Sequence, residues 1–467
     1  MSKSTMFAAK SKAVIDDVEI TPDNLTGRGG LSLFVRYLRH INIFPQMETF
    51  FGSMRRSSKG QSISEVFKQL LCFFVDGTSR HLVYFDSLAK DTGYAGVIET
   101  EPGCMLSSHA VKRFFRSFWW PRIYLFRRLL QRLFLWRLCL QAPDVVVLGI
   151  DTMVMDNDEA KVRHGVKPTY KKVKGFQPLQ MTWEGFVIDA VFRRGDAHSN
   201  NGDTTEKMVA HIVKNIRKHY RADVAIIVRM DSGFFDQKLF EAFEKLEIGY
   251  ICGGKLYKPI KAYVNCSHSE DWRRYEQGRQ VWQYLEFGSK CQNWKRFRRS
   301  IFCRPLYEDD QMLLSFARPD TVLITNLGMG GFVDAQLVKA GVGHWLEAQA
   351  IIAGYHGRGS DELVHRALKD FGFEQMPFKR FPSNATFYYT MLVSFFLFET
   401  FKQDVCAPVV APVCYATTLR RRIIDIAAKI VRHSGRVVLK ITAATSEQLN
   451  FSLLWTRSMS PPRYCWS

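Results

Sequence analysis

A chain of 467 residues with 46% hydrophobic side chains is long enough for more than one core and too apolar to be disordered as a whole. Its 65 Lys and Arg against 45 Asp and Glu leave a formal charge of +20, which favours a polyanionic partner, nucleic acid first, over an anionic membrane surface or a plain solubility charge. The ten cysteines form no CxxC pair and the N-terminus, MSKSTMFAAKSK, has no apolar signal run, so a cytoplasmic protein without a disulfide framework or a zinc site is expected.

From Leu31 to about Ala142, apolar residues recur at helical spacing, as in LSLFVRYLRHINIF (31–44) and SISEVFKQLLCFFVDG (62–77). This predicts a helical N-terminal DNA-binding domain over 1–141. Its last stretch carries Lys112, Arg113, Arg116, Arg122, Arg127, Arg128, Arg132 and Arg137 without an acid, and offers one face to a core and the other to phosphates or merely to water. Residues 118–140 contain five arginines and 385–398 span only 14 residues, so neither reads as a membrane span.

The pattern then changes to α/β. VVVLGI (145–150) and VAIIVRM (224–230) are continuous apolar runs that end at Asp151 and Asp231, as buried strands would. LQMTWEG and FVIDAVFRR add two strands between them, followed by a helix over 204–220. After Asp231 come a helix over 235–246 and the strand GYICGG (249–254). Residues 255–319, rich in Arg, Lys, Trp and Tyr with alternating runs such as QVWQYLEF (280–287) and MLLSFA (312–317), predict a β-rich insertion. TVLITNL (321–327) returns to strand, 332–369 is helical and ends at Gly372, and 385–401 is a second apolar helix. A basic helix containing Arg420, Arg421, Arg422, Lys429 and Arg432 and a strand RVVLKIT (436–442) complete the chain. The division is 1–141, 142–402 with the insertion at 255–319, and a basic C-terminal region over 403–467.

A carboxylate at the end of a buried strand is costly unless it is hydrogen-bonded or holds a cation. Asp151 and Asp231 therefore suggest a metal site, against the blander reading that each closes a turn. A third acid comes from the segment Tyr355, Arg358, Glu362, Lys369, spaced as Tyr, two residues, Arg, three residues, Glu, six residues, Lys. At about 100° per residue all four fall within roughly 60° of one another on a helix. Such a face could hold a divalent ion and grip phosphate oxygens, although Gly357 and Gly359 weaken its first turn. Among other acids, Glu347 is the main competitor for the third place, and Asp156, Asp158, Asp189 and Asp236 read as turn or helix-start residues. Glu362 and His365 form an E-x-x-H, but a di-iron helix pair needs a second copy and the chain has none.

IDTMVMDN around Asp151, VRMDSGF around Asp231, VLITNL and the Tyr355/Arg358/Glu362/Lys369 spacing resemble the DDE transposases of bacterial insertion sequences, in the group defined by a Tyr-Arg-Glu-Lys signature, over roughly 145–402. The resemblance implies an RNase H-like mixed sheet with flanking helices, interrupted by a β insertion. It implies that Asp151, Asp231 and Glu362 form the catalytic, metal-binding triad for two Mg²⁺ ions, with Mn²⁺ able to substitute. Tyr355, Arg358 and Lys369 become contacts to phosphates near the cleaved end, and one of Trp272, Trp282 and Trp294 a base-stacking residue. Duplex DNA would be held by its backbone by Lys161, Arg163, Lys167, Lys171, Lys172 and Lys174 in the loop after the first catalytic strand, and by Arg296, Arg298 and Arg299 in the insertion. The implied activity is cut-and-paste transposition by a homodimer acting on terminal inverted repeats and target DNA in the cytoplasm, associated with the nucleoid. The rivals are an RNase H-like nuclease that cuts without joining, and an inactive transposase-derived DNA-binding protein.

Overall fold

The computed structural model describes residues 15, 17–55, 60–160, 162–199, 202–278, 280–306 and 320–462. The first dozen residues, Lys161, the run MLLSFA and Cys465 lie outside them. Among the described residues the central feature is a nine-stranded mixed sheet. Its strands are β1 (Val145–Thr152), β2 (Leu179–Trp183), β3 (Phe186–Val191), β4 (Ala225–Met230), β5 (Gly249–Gly253), β6 (Arg273–Gln277), β7 (Gln280–Ser289), β8 (Arg298–Leu306) and β9 (Thr321–Thr325). They lie in the order β6-β7-β8-β9-β5-β4-β1-β2-β3, with β1, β4 and β5 parallel and the other pairs antiparallel. The strands of 255–319 thus extend the sheet through β9.

Successive side chains of a strand point to opposite faces, and β1 and β4 use both. Val146, Leu148, Ile150, Ile226, Val228 and Met230 belong to one large core that also takes in the N-terminal helices. Ala225 and Ile227 face a second core, with Ile351 and Ile352. Among the described residues, helices that frame the sheet include α1 (Trp120–Gln141), α2 (Thr204–His219), α3 (Gln237–Lys245), α4 (Ala348–His356), α5 (Gly359–Phe371) and α6 (Phe381–Phe401). Helix α6 is buried almost all round, because its Phe- and Tyr-rich surface packs against α1 and β3; Tyr388 Oη accepts from Gln180 Nε2 and Tyr389 Oη donates to the Ala190 carbonyl. Among the described residues no helix is long and apolar enough to cross a membrane.

The N-terminal helices form as the spacing predicts, for example Leu31–His40 and Ile63–Asp76, the latter capped by Ser62 and ended by Gly77 at φ 62°. They share the large core with the sheet. Arginines of the basic stretch are partly consumed by this packing: Arg127 makes a two-pronged ion pair with the fully buried Asp189, and Arg137 pairs with Asp404. The tail is stitched back to the start. Asn24–Thr26 pairs with Ala428–His433, which pairs in turn with Arg436–Ile441.

Two helical expectations are corrected. The region 332–369 is not continuous but divides into Phe332–Lys339, a 3-10 turn at Gly343–Leu346, α4 and α5. The basic tail helix ends at Ile424. Lys429 and Arg432 sit on a hairpin strand, because Ser434 and Gly435, at φ 49° and 73°, form a tight turn that folds RVVLKI back on it.

Candidate active site

The register of β1 and β4 brings the two strand-end aspartates together. Ile150 pairs with Met230 in parallel, so Asp151 and Asp231 follow side by side on strands about 4.8 Å apart. On the face they share, Gly149 and Arg229 precede them, and this face carries α5. A Cβ at Gly149 would overlap both Asp361 Oδ2 and Thr182 Oγ1, so the glycine is what lets Asp361 reach the sheet. Asp361 is buried there, accepting from Thr182 Oγ1 at 3.0 Å and pairing with Arg229 at 3.2 Å. Arg229 also donates to the Gly354 carbonyl at 3.2 Å, which ties α4 to the same point. Burial pushes the Asp361 carboxyl up, against the pull of Arg229 and Thr182. With Asp361 pinned under the helix, its neighbour Glu362 is turned outward, with its side chain 62% exposed.

Arg358, the N-cap of α5, is the hub of the site. Its guanidinium stands 3.6 Å from Asp151 Oδ2 and 3.3 Å from Glu362 Oε1. Two such contacts and the width of one guanidinium place these carboxylate oxygens within about 9 Å of each other. Tyr355, at the end of α4, packs its ring 5.8 Å from the same guanidinium. The Tyr355 hydroxyl also occupies the space a Cβ at Gly253 would take, beside Ser232 N. The Asp151 carboxyl is pushed up to about 6, first by burial and then by Asp231, with Glu362 adding to it and Thr152 N–H and Arg358 opposing. His365 Nδ1 lies 3.9 Å from Asp151 Oδ2 but brings no charge, because burial and the cations Lys369, Arg358 and Lys171 push it down to about 4.

The four signature residues do not share one unbroken helix. The break falls at Gly357, where Arg229 closes in and two glycines weaken helical preference, so Tyr355 belongs to α4 and Glu362 to α5. Lys369 lies two turns beyond Glu362, about 10 Å along the axis, and is paired with Glu374 at 2.8 Å. Glu347 sits at the far end of α4, about 12 Å along the axis from Tyr355.

Other predicted contacts fare unequally. The expected basic loop after β1 is instead a small three-stranded sheet of Met155–Asp156, Lys174–Phe176 and Lys167–Pro168; Lys171 and Lys172 are exposed in the turn between the last two, and Lys171 lies close enough to His365 to lower it. Arg296 is exposed. Arg298 is not a surface cation: it is 2% exposed, bonded to Glu244 and Tyr250 Oη at 3.0 Å and stacked on Trp294. Arg299 is likewise turned inward, to Glu286 and the carbonyls of Leu327 and Leu346. Trp282 and Trp294 are buried, and Trp272 is half-buried beneath Arg304. Asp189 serves Arg127, and Asp236 caps α3. Sequence reasoning missed Arg229 and Asp361, although an Arg inside the apolar strand VAIIVRM signals a buried partner. It also missed Tyr170, whose hydroxyl burial, Asp151, Asp231 and Glu362 together push up.

Among the described residues no three His, Cys, Asp or Glu side chains are grouped to hold a metal ion as they stand. The donor set nevertheless suits a hard divalent cation: carboxylate oxygens from three elements, with Asp151 raised first by burial and then by its negative neighbours Asp231 and Glu362.

A search of curated proteins gives no match. Among solved structures, the chain is similar to a piggyBac transposase synaptic complex with hairpin DNA, at 12% identity and a TM-score of 0.37, covering 96% of this chain and 89% of that one. The family model described as Transposase DDE domain group 1 matches residues 10–459. The chain belongs to this family of DDE transposases.

Proposed function

We propose that the protein is the transposase of a bacterial insertion sequence of the Tyr-Arg-Glu-Lys group, cutting and joining DNA by a cut-and-paste route. The observation that carries this reading is Arg358 in contact with both Asp151 and Glu362 at the place where β1 and β4 end side by side. The order β3-β2-β1-β4-β5, antiparallel then parallel, supports an RNase H-like catalytic region over 142–402. The region 1–141 is assigned to DNA binding and 403–467 to a basic tail.

Asp151, Asp231 and Glu362 would hold two Mg²⁺ ions, or Mn²⁺, which when bound activate water and stabilise the leaving 3′ oxygen. Arg358 neutralises the acids and presents a two-pronged donor to a phosphate. Tyr355 packs its ring against that guanidinium. Lys171 and Lys172 engage the backbone of the bound duplex from the turn that carries them. The freed 3′-OH then serves as nucleophile on target DNA, so no Ser or Tyr of the chain need become covalently attached. A homodimer bridging two element ends in the cytoplasm completes the reading. Alanine at Asp151, Asp231 or Glu362 should abolish Mg²⁺-dependent cleavage and leave DNA binding intact; appreciable cleavage by Glu362→Ala would refute its place in the triad.

A further inference from the structure

A cleft of about 910 Å³ lies away from the triad, between the N-terminal helices and the catalytic region. Arg80, Lys112, Arg116, Arg163, Lys379 and Arg380 line it, and no acidic residue does. Elsewhere several arginines, Arg28, Arg127, Arg137, Arg229, Arg298 and Arg304, each meet a carboxylate, and the buried Arg193 and Arg420 spend their donors on backbone carbonyls. None of the six cleft cations makes an ion pair with a described residue. Gathering like charges on separate elements, with only partial compensation such as Asp86 near Lys112, is unfavourable unless an anion completes the site.

The cleft is built, and its wall is tied to the segment that follows β1. Fully buried Asn157 donates to the Glu374 carbonyl at 2.9 Å and accepts from Met376 N–H at 2.7 Å and from Arg163 at 3.1 Å. His164 N–H donates to the Lys379 carbonyl at 2.8 Å. The segment 374–380 that forms this wall starts where α5 ends, at the Lys369–Glu374 pair, and leads into the N-terminus of α6, which has no acid in its first turn.

We propose that this cleft seats the phosphodiester backbone of duplex DNA as it leaves the catalytic site, clamping it between the N-terminal helices and segment 374–380. This deepens the transposase reading and rests on it. The duplex could be the element's own end or the target, which share this chemistry.

The test uses the full chain and a random-sequence duplex of about 40 base pairs without divalent metal. Each phosphate contact contributes about 0.9 to the slope of log affinity against log salt, so Lys112→Gln/Arg116→Gln/Arg380→Gln should lower the slope by about 2 to 3. Lys214→Gln/Lys218→Gln/Lys238→Gln, neutralising as many exposed cations on α2 and α3, should leave it unchanged, and matching circular dichroism and melting curves establish that both variants fold. An unaltered slope in the cleft variant, or equal losses in both, overturns the cleft and leaves the transposase reading standing. A parent protein without salt-dependent duplex binding overturns both. Repeating the measurement on a covalently closed circle separates the sources: a loss confined to linear duplex assigns the seat to an end, and an equal loss assigns it to internal backbone.

Discussion

Replacing Asp151 by Asn should make the metal-free protein more stable. The folded carboxyl is pushed up to about 6 from the ordinary aspartate range near 4, so its negative form is disfavoured by on the order of 3 kcal/mol. The sign follows from linkage: between about pH 4 and 6 the folded state binds more protons than the unfolded one, so stability falls as pH rises through that window. The penalty is absent below about pH 4 and complete above about pH 6. Asparagine carries no charge, yet its Oδ1 keeps the bond from Thr152 N–H that Asp151 accepts at 2.7 Å. Urea unfolding in chelator, run at several pH values, should therefore show the variant and parent nearly equal at about pH 4 and the variant ahead above about pH 6. Added Mg²⁺ should then stabilise the parent more than the variant. A gap that does not change with pH, or a variant less stable at neutral pH, would refute the account of the site's charge.

Asp361→Ala strands the largely buried Arg229, whose side chain is 14% exposed, and should cost about 3 kcal/mol in urea unfolding, whereas Asp361→Leu/Arg229→Met should recover much of the stability but not the cleavage rate, since Glu362 loses its anchor; full recovery of rate would remove Asp361 as a positioning residue. Arg298→Ala should destabilise by a similar mechanism while leaving the salt dependence of DNA binding untouched, and a reduced salt slope would return it to the DNA surface. Arg358→Ala should slow single-turnover cleavage of pre-bound DNA by about a hundredfold or more, with Arg358→Lys rescuing only in part because the two-pronged donor is lost. Cleavage at the parental rate by either variant would reduce Arg358 to an ordinary ion pair.

Much of the sheet was legible because its strands are long, apolar and bounded by acids or glycine. VVVLGI and VAIIVRM became β1 and β4, and their shared ending at aspartate was a true geometric signal: parallel register turns equal strand ends into neighbours. The helical arithmetic for the signature was less faithful. It assumed an unbroken helix, and Gly357, needed for the approach of Arg229, interrupts it. Sequence could not separate surface cations from core ones, because charge alone carries no direction. Arg298 and Arg299 occupy successive positions of β8 and face opposite sides, yet both find interior partners supplied by residues distant in sequence, such as Glu244 and the Leu346 carbonyl. The tail misled for a related reason: Lys429 and Arg432 read as a helix face until the Ser434–Gly435 turn pairs their strand with its neighbour.

The pairing of Asn24–Thr26 with Ala428–His433 has a consequence for the timing of synthesis. The early segment leaves the ribosome about 400 residues before its partner strand exists, and at about 5 to 20 residues per second this is a delay of roughly 20 to 80 s. Throughout that interval Arg28 lacks Asp425, and the Phe74 and Val75 carbonyls lack the guanidinium of Arg420. The N-terminal helices are thus tethered to the messenger, basic and incompletely buried, until Ala428–His433 pairs with the early strand. A chain released early by a premature stop before Ala428 never completes that closure, so fragments that retain the catalytic acids should be recovered as aggregates or protease-sensitive species.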